Sequence, residues 1–162
     1  MQGVEDEVQA EVVSIISNVS YHAQLEKKAA GGASDGAAEG SCADGGDRRL
    51  HLLTSIVQDA DRLEAIGAIG IARCLMYGGA KHRALYGAAD LDAAARTTLL
   101  SRQLSAEEYT AASVTSVGHF YAKLLRLKAL MRTASGRTVA EERHGFMLSF
   151  LNQLFDEVEG RR

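Results

Sequence analysis

Proline is absent from this 162-residue chain, aromatic residues make up only 6% of it, and it holds two cysteines. Without proline, every reversal of direction has to be built from Gly, Asn, Asp or Ser. The apolar residues, 46% of the total, are largely alanine, which buries little area, so a modest core is expected. Cys42 sits in a low-complexity run and Cys74 among small apolar residues. A structural disulfide is therefore not expected, and a reducing intracellular location, the cytoplasm, is the simpler reading. No apolar run approaches the roughly 18 residues of a membrane span, and no secretory pattern follows Met1. A membrane partner is not expected. The balance of 18 basic and 21 acidic side chains gives a net charge of −3, which excludes a general nucleic-acid binder. No segment alternates apolar and polar residues, so no sheet is predicted.

What the chain does have is helical periodicity. Val4, Val8, Val12, Ile15, Ile16 and Val19 recur at the spacing of one helix face, with Glu5, Asp6 and Glu7 where the dipole favours negative charge. This predicts a helix over 4–19, and Asn18 and Ser20 separate it from a second piece at 21–28. Gly, Ala, Ser and Asp then dominate 29–47 with no large apolar residue, so 30–47 is predicted to be a disordered insertion inside one domain. A long helix is predicted over 56–77, ended by Gly78-Gly79. Residues 80–104 show no steady period. Ser105-Ala106-Glu107-Glu108 has capping-box spacing and starts a helix reaching Met131, broken near Gly118, whose buried stripe is Phe120, Leu124, Leu127 and Met131. The last helix is predicted over 138–159, striped by Met147, Phe150, Leu151, Leu154, Phe155 and Val158, with Gly160 as its C-cap. The fold class is all-α.

The segment from Val57 to Arg73 carries two aspartates and two arginines on an otherwise small and apolar helix. Burying ionised groups costs several kcal/mol each, on the order of the stability of a pair, unless they are partnered or bind a metal. At about 100° per residue, Asp59, Arg62 and Arg73 share one side, while Asp61 points away above Ala65, Ala68 and Ala72. Asp59 is thus expected to pair with Arg62. Asp61 is left as the carboxylate able to ligate a metal. Gly67, Gly70 and Cys74 read as small residues for close helix packing, not a phosphate loop, since no strand precedes them. His119 and Lys123, four residues apart, share a helix face and could meet a phosphate. Lys123, Arg126, Lys128 and Arg132 read as a solvated basic face, His82 as a loop residue and His144 as a surface or packing group.

Three blocks of sequence resemble the HD-domain metal-dependent phosphohydrolases, and in particular a small bacterial-type subfamily. They are Asp59-Ala60-Asp61-Arg62-Leu63 with the following Ala65-Ile66-Gly67-Ala68-Ile69-Gly70-Ile71-Ala72-Arg73; then Gly118-His119-Phe120-Tyr121-Ala122-Lys123-Leu124-Leu125; then Thr133-Ala134-Ser135-Gly136-Arg137 with Ala140-Glu141-Glu142-Arg143-His144-Gly145-Phe146-Met147. The likeness covers residues 50–159 well and 10–28 weakly. It implies an all-α domain that hydrolyses a phosphate ester or anhydride, nucleotides included. Asp61 would be the last ligand of a divalent metal (manganese, iron, nickel or magnesium), and Arg62, Arg73, His119 and Lys123 would face substrate.

The superfamily takes its name from a His-Asp pair preceded by another His. Here the histidines are His22, His51, His82, His119 and His144, and none is followed by Asp. The expectation is a chain that begins inside the domain or is a degenerate copy, inactive and metal-free by itself. A helical interaction module or pseudoenzyme, with apolar surface left for self-association, is the alternative.

Overall fold

The structure, a computed structural model, describes residues 2–17 and 45–161, and every regular element among them is helical. The elements are α1 (Gln2–Ser17), α2 (Gly45–Glu64), α3 (Gly67–Ala80), α4 (Ala88–Leu91), α5 (Ala93–Ser101), α6 (Ala106–Ala112), α7 (Ser116–Ala122), a 3-10 helix (Leu124–Leu130) and α8 (Ala134–Val158). The helix piece at 21–28, His22, Cys42 and residues 30–44 of the expected insertion lie outside the described residues. Residues 45–47 were placed in that insertion and instead form the first turn of α2. The chain divides into two compact units, Met1–Asp61 and Arg62–Arg162.

In the first unit, α1 confirms the helical period of its valines, and Val8, Val12, Val13 and Ile16 are exposed. Arg49 approaches Glu11 at 3.6 Å, an exposed pair of small energetic weight. The α2 helix buries an unusual face. Ser55, Gln58, Asp59 and Arg62 are all buried, whereas Leu52, Ile56 and Val57 are exposed. Spacings of three and four place those polar groups on one side of the helix.

The second unit begins where the predicted helix over 56–77 breaks in two. Ala65 and Ile66 close tight turns onto Arg62 and Leu63 (3.1 and 3.4 Å), Ile66 is extended, and Gly67 takes φ +74°, which a side chain would strain. The break explains both glycines. A Cβ at Gly70 would lie 2.2 Å from the Ala65 carbonyl oxygen, and one at Gly67 would meet the Arg143 side chain at 2.9 Å. Arg143 itself donates to the Leu63 carbonyl, capping the end of α2. At the far end, Gly78 and Gly79 do not stop α3, which runs on to Ala80. Gly78 instead lets Ser116 come close, because a Cβ there would lie 2.4 Å from its Oγ.

Residues 80–104, aperiodic in the sequence, hold α4 and α5; Asp92 caps α5 by accepting from Ala94 N at 2.8 Å. The predicted helix from Ser105 to Met131 is three pieces. Its capping box is present, with Ser105 N donating to Glu108 at 2.9 Å, but the chain turns at Ser113 and Thr115 restarts it as α7. Arg126 then donates to the Tyr121, Arg102 and Leu99 carbonyls, tying the 3-10 helix to the end of α5. It is a packing residue and not part of a solvated face. Phe120, fully buried, stacks on Phe150 at 6.2 Å between centroids, and Ala140, Met147, Leu151 and Phe155 bring the face of α8 into the same core. The last helix starts at Ala134, four residues earlier than the period suggested, because Thr133 caps Gly136 N at 2.9 Å. Gly160, at φ +68°, follows its C-terminus as expected.

Candidate functional site

Within the second unit, Tyr77, Arg83, Tyr109, Thr110, Ser113 and His119 line an open cleft of about 340 Å³. Four elements meet there. Tyr77 comes from the last turn of α3, Arg83 from the loop over 81–87, Tyr109, Thr110 and Ser113 from α6 and its C-cap, and His119 from α7. The Tyr77 ring lies under two cations, with Lys81 Nζ 5.9 Å and Arg83 Cζ 5.6 Å from its centroid. The Tyr109 and His119 rings meet edge to face at 6.1 Å, and His119 Nδ1 lies 3.2 Å from Ser113 Oγ.

Electrostatics in the cleft follow from burial next to positive charge. The His119 pKa is pushed down from 6.5 to about 4, first by burial and then by the Lys123 and Arg83 cations. At neutral pH the imidazole is uncharged and presents one N–H donor and one acceptor. Tyr109 is raised, mainly by burial, so its hydroxyl keeps its proton. Because the unfolded chain takes up the His119 proton near 6.5 and the folded one only near 4, stability should be intact above about 6.5 and lost as pH falls toward 4. His144 is lowered by burial too and contributes in the same direction. Comparing denaturant melts of the parent and His119→Gln at pH 7 and pH 4.5 isolates the first group. The parent is expected to lose more stability than the variant over that interval, and parallel losses would place the imidazole in solvent.

Several arginines are tied to backbone carbonyls. Arg62 donates to the Leu130 carbonyl at 2.6 Å, Arg96 to Asp90 O at 2.7 Å, Arg137 to Arg132 O at 2.9 Å, and Arg126 and Arg143 to the carbonyls described above. Arg83 differs from all of these. Among the described residues its guanidinium makes no hydrogen bond or ion pair, and it rests on the Tyr77 face with its N–H donors uncommitted.

Of the residues singled out from sequence, His119 lines the cleft and Lys123, one turn further on, lies near enough for its charge to act on the imidazole. Arg62 is buried and holds the end of the 3-10 helix, and Arg73 is exposed beside Glu64 at 3.1 Å. Neither lines the cleft. The helix break also removes the angular argument that put Arg73 on the side of Asp59. Asp61 is exposed on α2, while Asp59 is buried. Arg83, Tyr77, Tyr109 and Ser113 were not foreseen; the one signal was the basic run Lys81-His82-Arg83 after an apolar helix. Among the described residues no three of His, Cys, Asp and Glu come together. No single helix among them is long and apolar enough to cross a membrane.

An uncommitted arginine, a neutral histidine and two tyrosine rings thus meet around an open cleft in an all-α fold. Comparison with known proteins identifies its family. No family model matches. Over 111 residues, 68% of this chain, it is 45% identical to YpgQ of Bacillus subtilis, and the match spans 42% of that protein. A crystal structure from Lactobacillus plantarum superposes with a TM-score of 0.66 at 31% identity, covering 96% of this chain and 60% of the other. That of an HD-superfamily hydrolase from Bacillus thuringiensis gives a TM-score of 0.50 at 32% identity over 90% of this chain and 73% of its own. The chain belongs to the HD superfamily. It spans less than half the length of the curated relative and 60% of the Lactobacillus plantarum protein.

Proposed function

We propose that this chain supplies the phosphate-engaging side of a metal-dependent phosphohydrolase of the small bacterial HD type, acting on a phosphate ester or anhydride, nucleotides included. The observation that carries the reading is Arg83, whose donors are uncommitted at the mouth of a cleft that His119 and Ser113 also line. A guanidinium fork matches phosphate oxygens bidentately, and the Tyr77 face beneath it restrains its orientation. Lys123 adds positive charge behind His119. Held neutral, the imidazole can give one hydrogen bond to a phosphate oxygen without drawing a counter-anion of its own. In the complete family site a divalent ion would polarise the phosphoryl group and activate water, and Asp61 is the residue here that matches one of its ligands. A single carboxylate holds such an ion weakly, so hydrolysis belongs to a domain that also has the His and His-Asp ligands.

Two measurements test this. Inorganic tripolyphosphate titrated into the metal-free chain is expected to bind, and Arg83→Ala to weaken it by about tenfold, the worth of one charge-assisted pair of hydrogen bonds. Equal affinity in the variant would remove Arg83 from the site. Elemental analysis of the untagged chain is expected to give well below one manganese, iron or nickel per molecule. A stoichiometric, tightly held ion would overturn the reading and turn attention to His22 and His51 as replacement ligands.

A further inference from the structure

The two walls of the cleft come from segments far apart in sequence, the loop over 81–87 that carries Arg83 and the helix α7 that carries His119. Their separation must be fixed if both are to meet one phosphate group. A helix begins with four N–H groups that have no partner inside it, and in α7 those of Ser116, Val117 and Gly118 are accounted for. Ser116 N donates to Ala84 O and Val117 N to Leu85 O, both at 2.9 Å, so the loop closes directly onto the helix end. Gly118 N donates to Thr115 Oγ at 2.8 Å, and His119 N to Thr115 O at 3.1 Å. The Thr115 hydroxyl then donates to Asp90 Oδ2 at 2.7 Å, and the same oxygen accepts Gly87 N, at the far end of the loop, at 2.8 Å. Asp90 is buried, and Arg96 holds its backbone carbonyl at 2.7 Å.

One carboxylate oxygen therefore joins the exit of the Arg83 loop to the cap of the His119 helix. We infer that Asp90 is a positioning residue for the cleft, acting through Thr115 and Gly87 to set the distance between the Arg83 guanidinium and the His119 ring. This rests on the reading of the cleft as a phosphate site. Asp90 does not line the cleft, and its two side-chain hydrogen bonds are the ones that join these segments.

The test uses the full chain, with inorganic tripolyphosphate as probe and the His119 ring signals in NMR as a local reporter. Asp90→Ala removes both bonds, whereas Asp90→Asn keeps an oxygen able to accept both. Thr115→Val and Thr115→Ser make the matching pair from the other side. At a temperature where circular dichroism shows every variant folded, Asp90→Ala and Thr115→Val are expected to weaken tripolyphosphate binding by about tenfold, the equivalent of one misplaced charge-assisted contact. Both should shift the His119 ring signals. The Asn and Ser variants should restore affinity and signals alike, and the double variant Asp90→Ala/Thr115→Val should bind no worse than the weaker single one, because the shared bond is lost once. An Asp90→Ala chain that melts earlier yet binds tripolyphosphate as the parent does, with His119 signals unmoved, would overturn the proposal. If Asp90→Ala does not fold, the Thr115 pair decides by the same criteria. If the parent does not bind tripolyphosphate, the phosphate reading fails, while a His119 shift in Asp90→Ala that Asp90→Asn reverses still upholds the positioning role.

Discussion

Gly118→Ala is expected to destabilise the second unit by about 3 kcal/mol or more, beyond the usual span for overpacking, because the obstacle is backbone. A Cβ at this position would lie 2.0 Å from the Ala112 carbonyl oxygen and 2.8 Å from Thr115 Oγ. Neither atom can swing aside. The carbonyl belongs to the last residue of α6, and the hydroxyl is held by both Gly118 N and Asp90. Relief requires moving the turn at Ser113 to Thr115, which also loses the cap of α7, itself worth about 1 kcal/mol. For a unit of this size a 3 kcal/mol loss lowers the melting temperature by roughly 12–24 °C. Gly145→Ala is the control. It lies inside α8 with nothing within 4 Å of its would-be Cβ, so a gain of about 0.5–1 kcal/mol is expected there from reduced backbone entropy. Denaturant midpoints of the two variants decide the matter, and a Gly118→Ala chain as stable as its parent would mean that α6 and α7 are not so closely joined.

Phe120→Ala should cost about 3–5 kcal/mol, the range for a large aromatic removed from a packed core. Phe120 has 0% exposure and stacks on Phe150, so the cavity would open where α7 meets α8. The effect is large against a total of about 5–15 kcal/mol for a typical domain, and Phe120 is the largest of the fully buried side chains among the described residues. Equilibrium denaturation with an unchanged m-value measures it. A loss under about 1 kcal/mol would show that the site collapses to fill the void. Because Gly118 and Phe120 share a short helix, the two substitutions should not add.

The strongest local signals survived folding intact. The Ser105–Glu108 capping box, the valine period of α1, the stripe of α8 and the glycine after it all describe bonds made within a few residues, and such bonds do not depend on the rest of the molecule. The family blocks around Asp61, His119 and Arg143 were legible as runs of residues in a fixed order. Failures came where distant atoms decide. The break at Ala65-Ile66 is clamped by Arg143, eighty residues on, and although Gly67 is closely packed as read, its positive φ cannot be read from the letters around it. Gly78 looked like a helix stop and is a contact point for Ser116. Asp90 gave no signal at all, since Thr115, the partner that makes it a link, lies beyond α5 and α6. Arg83 was missed because nothing in sequence separates an arginine tied to carbonyls from one that is not.

That last distinction changes how the charge of the molecule acts on a ligand. A net charge of −3 suggests weak repulsion of phosphate. Yet at physiological ionic strength the field of an exposed carboxylate dies away over about 8 Å, so acids scattered elsewhere on the surface are nearly invisible from inside the cleft. The cations nearest the cleft are Lys81, Arg83 and Lys123, around a histidine that stays neutral. An acidic protein can thus hold a small basin of positive potential, whose attraction for an anion is short in range and sensitive to salt.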